Sequence, residues 1–202
     1  MNSACLYDQG EESWPIKLHI GCGGIRLLGY TNIDAQGRLA SDSQDAAREN
    51  ETTVTDYYSR LDGSPANLPT RRPNIIDMYA DVAAMPYQAC TVDKIVGIQV
   101  FEHLTPAHAT MALAHWHCIL RYHAPLILSV PDMYETLDMI DTEPEFARRH
   151  MLGRQKGDYL NTHHAWYTLS TLTELLIFSG FSIVMSLPNF HFYPAIVVRA
   201  CK

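Results

Sequence analysis

Short apolar runs alternate with polar segments along most of the chain and predict buried β-strands. Several of these runs are rich in Val and Ile and only a few residues long, which is typical of strands covered on both faces of a sheet. The predicted strands are residues 18–20, a short run ending at residue 34, and residues 74–79, 94–100, 125–130, 181–187 and 195–201. The last two are separated by a proline-containing turn, which predicts an antiparallel hairpin.

Two helices are predicted between these strands. Thr105 and Pro106 form a typical helix start, with Thr105 as N-cap and proline at the first helical position. A second apolar stripe stops just before Gly180, a residue type favoured directly after a helix end. The residues that recur on one face of each helix are Ala109, Leu113, Trp116 and Leu120, and then Leu172, Leu175, Leu176 and Ser179. The alternation predicts an α/β fold with a doubly wound, mostly parallel sheet of seven strands.

Length and composition indicate one domain. The chain has 202 residues, of which 47% are hydrophobic and 18% are charged, enough to bury one sizeable core. We predict an N-terminal lead-in at 1–16 and a single domain at 17–202. Within that domain, 35–73 is a polar insertion, either a mobile surface loop or a lid over the substrate, and 133–167 is a substrate-side segment of mixed pattern.

The net charge and the cysteine pattern limit which partners and which cellular compartment are expected. A net charge of −7 argues against nucleic acid as the main partner. No run is long enough to span a membrane, and the first ten residues lack the pattern of a signal peptide. The five cysteines are scattered, odd in number and never in a C-x-x-C pair, which predicts a cytoplasmic protein without structural disulfides or a zinc knuckle. Nothing in the sequence indicates an oligomeric state.

Glycines follow the first predicted strand, and a carboxylate ends the second. Gly21 and Gly23 allow a ligand to approach the backbone closely, and Asp34 lies where nucleotide-binding α/β folds bind a ribose diol. Only ten residues separate Gly24 from Asp34, so the crossover between these strands is predicted to be a loop or a single helical turn. This excludes a helix-backed pyrophosphate cradle and favours a ligand without phosphates.

In this order and spacing, the motifs resemble those of class I S-adenosylmethionine-dependent methyltransferases. Leu-His-Ile-Gly-Cys-Gly at 18–23 resembles the glycine motif of that family, and 29–34 resembles the G-Y-x-N-I-D form of a compact subgroup. Residues 81–87 resemble the D-x-x-x-L-P-F segment, and Val-Phe-Glu-His-Leu at 100–104 resembles V-L-E-H-L. The resemblance implies the sheet order 3-2-1-4-5-7-6, with an antiparallel last strand.

The resemblance also implies S-adenosylmethionine as the cofactor, S-adenosylhomocysteine as the product, and no metal. The implied cofactor contacts are Gly21, Cys22, Gly23, Asp34 for the ribose, Asp81 and Val82 for the adenine, and Gln99. Three features depart from the family pattern, one of which is that Leu-Arg-Tyr-His-Ala-Pro at 120–125 lacks the glycines of the L-K-P-G-G segment. His19 replaces an acidic residue that most members place before the first glycine, and Ile25 replaces a third glycine.

His103 is the candidate catalytic residue. It follows the fourth strand, near the expected position of the transferable methyl group, where a neutral imidazole can take a proton from an acceptor hydroxyl or amine. The alternative is a structural histidine at the start of the next helix. The residues expected to line the acceptor pocket are Asp132, Tyr134, His163, His164 and Tyr167. The adjacent His163 and His164 have no recognisable partners for a metal site.

The preferred hypothesis is a methyltransferase acting on an O or N atom of a small molecule, of the saccharide or natural-product type. The alternative is a catalytically silent relative that binds a partner or regulates an enzyme. A nicotinamide-dependent dehydrogenase would need glycine in place of Arg26 and a helix directly after it. Both features are missing, so that class is rejected.

Overall fold

A seven-stranded sheet forms the centre of the molecule. The computed structural model describes residues 15–42, 44, 51–52, 74–153, 159–191 and 193–202. In chain order the strands are β1 (Lys17–Ile20), β2 (Thr31–Asp34), β3 (Met78–Tyr79), β4 (Lys94–Ile98), β5 (Pro125–Pro131), β6 (Ser182–Leu187) and β7 (Ala195–Cys201). Their order in the sheet is 3-2-1-4-5-7-6. Strand β7 is antiparallel to β5 and β6, and the other neighbouring strands are parallel. The predicted fold class and strand order are confirmed.

Four α-helices lie in the described part of the chain: α1 (Pro106–Ile119), α2 (Met133–Asp138), α3 (Pro144–Leu152) and α4 (Leu169–Phe178). Short 3-10 helices occupy Ala40–Asp42, Phe101–His103 and Tyr159–Asn161. Helix α1 begins as predicted, because the Thr105 hydroxyl accepts a hydrogen bond from the His108 N–H at 3.3 Å. Helix α4 ends as predicted before Gly180, whose φ is +94°. The sequence pattern did not predict α2 and α3.

Helices α1 and α4 cover the same face of the sheet. Trp116 and Leu113 of α1 and Leu172 and Leu176 of α4 are fully buried in one cluster with the inward side chains of β1 and β5. Burying a large apolar side chain contributes roughly 1.5–3 kcal/mol, so this cluster stabilises the packing of both helices on the sheet. It also fixes α1 against the end of β4, where the candidate site lies.

The other face of the sheet is covered differently near β1. The crossover between β1 and β2 contains no helix, as predicted. It contains a two-residue strand, Arg26–Leu27, which pairs in parallel with Glu51–Thr52. Leu27 packs against Val96 and Ile98 of β4 in a second, small cluster. A short stretch of chain therefore takes the place that a crossover helix would fill.

Buried polar side chains hold this crossover in place. The side-chain oxygen of Asn32 accepts hydrogen bonds from the Leu27 N–H at 2.7 Å and from His19 Nδ1 at 3.1 Å. The Asp77 carboxylate accepts from the Asn32 N–H at 2.8 Å and pairs with the Arg26 guanidinium at 2.7 Å. His19, Asn32 and Arg26 are all buried. The network satisfies polar groups that burial would otherwise make costly.

The same network corrects one prediction. Residues 74–79 were predicted to form one strand, but Asp77 interrupts it because its carboxylate bonds to Asn32 and Arg26. Ile75–Ile76 pairs with Arg38–Leu39, and only Met78–Tyr79 joins the main sheet as β3. Most of the insertion predicted at 35–73, like residues 1–14 of the lead-in, lies outside the described residues. The predicted domain boundaries stay a prediction.

One prediction concerns acid stability. Burial of His19 lowers its pKa to about 4 from an ordinary value of 6.5, against an opposing hydrogen bond to Asn32. The folded state therefore prefers neutral His19. The contribution of neutral His19 to the free energy of unfolding is fully present above pH 6.5. It is lost as the pH falls toward 4, because the unfolded chain binds a proton at His19 more readily than the folded one. At about pH 4.5 the loss amounts to a few kcal/mol.

Chemical denaturation at neutral pH and at about pH 4.5 measures this contribution. We expect His19→Gln to reduce the pH dependence of the unfolding free energy by roughly that amount. The exposed His123 lies in a turn at φ +62°, a conformation that asparagine tolerates, so His123→Asn is the matched control. An unchanged pH dependence in His19→Gln contradicts the assignment.

The cysteines give a second correction. Cys90 is disulfide-bonded. Cys22, Cys118 and Cys201 are free thiols. The expectation of a chain without disulfides is wrong, so cysteine usage no longer supports a reducing compartment, and the cytoplasmic location stays a prediction. Among the described residues, no helix combines the length and apolar character that crossing a bilayer requires.

Candidate active site

The loop after β1 lies directly against the loop after β4. Gly21 has φ +60°, and a Cβ at this position would overlap the side chain of Val100. Gly23 also has a left-handed φ, +54°, but nothing lies within 4 Å of the place its Cβ would occupy. Glycine is therefore required at 21 by packing and favoured at 23 by backbone conformation. The Val100 side chain therefore fills the space beside Gly21, whereas the space beside Gly23 is open.

Asp34 joins this loop to the end of β2. Its carboxylate accepts a hydrogen bond from the Gly23 N–H at 2.9 Å and another from the Gln36 N–H at 3.2 Å. A carboxylate offers about four lone-pair positions, so roughly two remain for other donors. The half-buried Asp34 can therefore hold the glycine loop and bind a pair of hydroxyl groups at the same time.

Cys22 lies between the two glycines and is buried, with its N–H bonded to the Ile33 carbonyl at 3.2 Å. Burial raises the pKa of the Cys22 thiol far above its ordinary value, and the Asp34 charge adds to this. Since the thiolate is the reactive form, Cys22 is a packing residue and not a nucleophile. It contributes to a ligand site through its backbone.

Asp81 and Val82 follow β3 and are anchored to α1. The Asp81 carboxylate accepts from the Ala83 N–H at 2.8 Å and lies 2.8 Å from Nε2 of His108. Partial burial raises the pKa of Asp81, but these two partners outweigh it and lower the pKa overall. Val82 is buried, and its carbonyl accepts from the Trp116 indole N–H at 2.7 Å. An exposed, ionised carboxylate is therefore held beside a fixed backbone segment.

Gln99 directly follows β4 and has a φ of +53°, which is uncommon for a residue other than glycine. Its N–H donates to the Ser129 carbonyl at 2.8 Å, and its side-chain amide lies 3.4 Å from the Ser129 hydroxyl. The side chain is therefore directed toward β5. Strained backbone at a strand end often marks a functional site.

Of the residues predicted for the acceptor pocket, Asp132 and His164 have side chains in local contacts, and the side chain of Tyr134 is exposed. The Asp132 carboxylate caps α2, accepting from the N–H groups of Tyr134 and Glu135 at 2.9 and 3.2 Å. The Tyr134 side chain is 66% exposed to solvent. His164 contacts the Tyr159 carbonyl through Nε2 at 3.3 Å.

The other predicted residues, His103, His163 and Tyr167, come together around Glu102. Glu102 is only 1% exposed, and neither of its carboxylate oxygens accepts a hydrogen bond from another residue that the structure describes. Its Oε1 lies 3.9 Å from Nε2 of His163. The rings of His103 and His163 lie 4.6 Å apart at 84°. We call Glu102, His103 and His163 the Glu-His cluster.

Backbone contacts bring these residues together from distant parts of the chain. The Glu102 carbonyl accepts hydrogen bonds from the N–H groups of His164 and Ala165 at 2.8 and 3.2 Å. Gly153 forms an isolated bridge with Thr162, and a Cβ at Gly153 would lie 2.8 Å from Cδ2 of His163. The segment carrying His163 is therefore fixed against the 3-10 helix that carries Glu102.

Burial determines the protonation of the cluster at neutral pH. It raises the pKa of Glu102 to about 8, against a weaker opposing effect of its own backbone N–H. It lowers the pKa of His163 to about 4, and the nearby His103 and His150 add to this. His103 Nδ1 lies 3.1 Å from the Thr162 carbonyl, which can only accept, so Nδ1 carries a proton.

Glu102 is the functional candidate that the sequence prediction missed. The Val-Phe-Glu-His-Leu motif contains it, but the motif alone does not show that its side chain is buried between two histidines. A Glu-His pair directly after a buried strand is the signal that was available. A narrow cavity opens beside it, lined by Glu102, Met133, Thr136, Met151, Trp166 and Tyr167, among others.

Comparison with known proteins identifies the fold. No family model and no curated protein matches this sequence. Solved structures of S-adenosylmethionine-dependent methyltransferases do match. One from Methanosarcina mazei is 15% identical, with a TM-score of 0.53 over 94% of this chain and 93% of that one. Another, from Thermotoga maritima, is 13% identical, with a TM-score of 0.52 over 93% and 82%, and carries histamine N-methyltransferase as its suggested activity.

A third similar structure is the magnesium protoporphyrin IX methyltransferase of Synechocystis, solved with bound S-adenosylhomocysteine. It is 16% identical, with a TM-score of 0.51 over 93% of this chain and 74% of that one. At such identities the similarity concerns architecture. The chain therefore has the class I methyltransferase fold.

Proposed function

We propose that this chain is an S-adenosylmethionine-dependent methyltransferase that acts on an O or N atom of a small molecule, of the saccharide or natural-product type. The observation that carries this proposal is Asp34. In a sheet of order 3-2-1-4-5-7-6, its carboxylate ends β2 and bonds to the Gly23 N–H of the loop after β1. A carboxylate so placed can bind the two hydroxyls of a ribose.

The residues present fit this cofactor. The space beside Gly23 is open, and Asp34 retains acceptor capacity after its two backbone hydrogen bonds. We assign the loop at 21–23 to the methionine part and Asp34 to the ribose. Asp81 and the Val82 N–H are assigned to the adenine. Gln99, whose N–H and side chain are directed to β5, would contribute through its backbone.

Once bound, S-adenosylmethionine supplies a methyl group that is already activated on a sulfonium. The protein therefore has to orient the acceptor and exclude water. We assign His103 to activation of the acceptor, because its Nδ1 hydrogen bond to Thr162 directs the Nε2 lone pair to the opposite side of the ring. His163 and Tyr167 are proposed to line the acceptor pocket, with Tyr134 at its exposed margin. Asp132 and His164 are proposed to hold their segments in place.

Turnover with a panel of acceptors tests this proposal. The protein is incubated with S-adenosylmethionine and a saccharide, a phenol or an amine, and S-adenosylhomocysteine and the methylated acceptor are measured together. We expect equal amounts of both products with at least one class, and a loss of about 100-fold or more in His103→Ala. The exposed His123→Asn is the control. Cofactor binding without turnover on any class would instead indicate the catalytically silent alternative.

A further inference from the structure

We propose that the Glu-His cluster binds one divalent transition-metal ion, such as Zn²⁺ or Mn²⁺. The ligand-capable atoms of Glu102, His103 and His163 all lie within 4.8 Å of one another. Two imidazoles and one carboxylate form a ligand set that binds Zn²⁺ and other first-row ions and leaves a coordination position open. The hard cations Mg²⁺ and Ca²⁺ prefer oxygen ligands, so the two imidazoles disfavour them.

The buried carboxyl group of Glu102 is the independent observation that points to a ligand. Buried side-chain oxygens are nearly always hydrogen-bonded, and exceptions need an explanation. Both oxygens of Glu102 are inaccessible to solvent and accept no hydrogen bond from another described residue, although Oε1 faces Nε2 of His163 at 3.9 Å. A cation held between these atoms provides the missing partner for the carboxylate.

The orientation of His103 agrees with a ligand role. Metal-bound histidines commonly donate their second ring N–H to a backbone carbonyl, which fixes the tautomer and the ring plane. His103 makes this contact through Nδ1 with the Thr162 carbonyl at 3.1 Å. With Nδ1 bonded to this carbonyl, Nε2 is the ring nitrogen that would bind the ion.

The cluster is slightly wider than a loaded site. Metal–ligand bonds of about 2.0–2.2 Å place the ligand atoms of a tetrahedral site roughly 3.5 Å apart. The Glu102–His163 distance of 3.9 Å is close to this value, and the widest separation is within 4.8 Å. Contraction by about an ångström lies within the reach of side-chain torsions, while the backbone contacts of Glu102 with His164 and Ala165 keep the two segments together.

The chemical role of the ion rests on the proposed function, whereas its binding does not. A divalent ion lowers the pKa of a hydroxyl group bound to it. A narrow cavity adjoins Glu102 and is lined also by Thr136 and Tyr167. An acceptor hydroxyl that reached the ion would be activated in this way, and His103 would then act as a ligand instead of a proton acceptor.

Metal titration of chelator-stripped protein tests the proposal. Calorimetric titrations use ZnCl₂ and MnCl₂, with MgCl₂ for comparison, and metal analysis after dialysis gives the stoichiometry. We expect one tightly bound Zn²⁺ or Mn²⁺ per chain and little binding of Mg²⁺. His163→Ala should weaken binding by roughly 100-fold or more, and the nearly isosteric Glu102→Gln should also weaken it strongly.

His123→Asn is the control, because it removes an exposed imidazole outside the cluster at a φ of +62°, which asparagine tolerates. Its metal affinity should equal that of the unchanged protein. Equal losses in His163→Ala and His123→Asn, or no stoichiometric ion in folded protein, would overturn the metal site. Binding of S-adenosylhomocysteine in the presence of chelator is measured in parallel. If S-adenosylhomocysteine binds but no metal does, the metal site is overturned and the proposed function stands. If metal binds but S-adenosylhomocysteine does not, the proposed function is overturned and the metal site stands.

Discussion

Replacing Asp34 with alanine is expected to weaken binding of S-adenosylhomocysteine by on the order of 100-fold or more, measured by calorimetric titration. Hydrogen bonds to a charged group contribute about 1.5–3 kcal/mol each, and the proposed ribose contact comprises two of them. The variant also removes the acceptor of the Gly23 N–H, so the glycine loop loses a support. The lost ribose contact and the less supported glycine loop both weaken binding of S-adenosylhomocysteine.

Two comparison variants separate these effects. Asp34→Asn keeps one acceptor oxygen and nearly the same volume, so we expect an intermediate loss, roughly 10-fold. Asp141→Ala removes an exposed carboxylate beyond α2 and should leave the affinity unchanged. An Asp34→Ala protein that is folded and binds with the original affinity would remove Asp34 from the cofactor site.

Replacing Trp116 with alanine is expected to cost about 3–5 kcal/mol of unfolding free energy, measured by chemical denaturation. Trp116 is fully buried in α1 and packs against Phe101, with ring centroids 5.8 Å apart. Its indole N–H donates to the Val82 carbonyl at 2.7 Å. The variant leaves a cavity and a buried carbonyl without its donor.

Trp116→Phe retains most of the apolar volume but not the hydrogen bond, so we expect a smaller loss, about 1–2 kcal/mol. It should also weaken cofactor binding if the Val82 segment holds the adenine. Met111→Ala, on the exposed side of the same helix at 62% exposure, should change stability by less than about 0.5 kcal/mol. A Trp116→Ala loss no larger than that of Met111→Ala would contradict this description of the core.

The sheet and the start of α1 could be predicted because their signals are local. β-branched runs identify the strands, the ten-residue spacing excludes a crossover helix, and Thr105 with Pro106 specifies a helix start. Helices α2 and α3 were missed for a physical reason. Among their described side chains, α2 buries only Thr136 and α3 only Ala147, so neither buries a series of large apolar residues as α1 does.

The Glu-His cluster was beyond sequence reasoning because long-range backbone contacts create it. His163 reaches Glu102 only because the following residues donate to the Glu102 carbonyl and because Gly153 allows close approach. The interruption of the strand at Asp77 has a similar origin, since its partners Asn32 and Arg26 are distant in sequence. Residue identities alone do not report such contacts. By contrast, Asp34 and Gly23 were placed together correctly, because adjacent parallel strands end at the same edge of the sheet.

Calorimetric titration of the unchanged protein with S-adenosylhomocysteine tests the proposed function most directly. A methyltransferase site built on Gly23 and Asp34 predicts binding of one molecule per chain with micromolar or tighter affinity. Folding is verified by circular dichroism before the titration. Absence of detectable binding by the folded protein, to this compound and to S-adenosylmethionine alike, would contradict the proposed function.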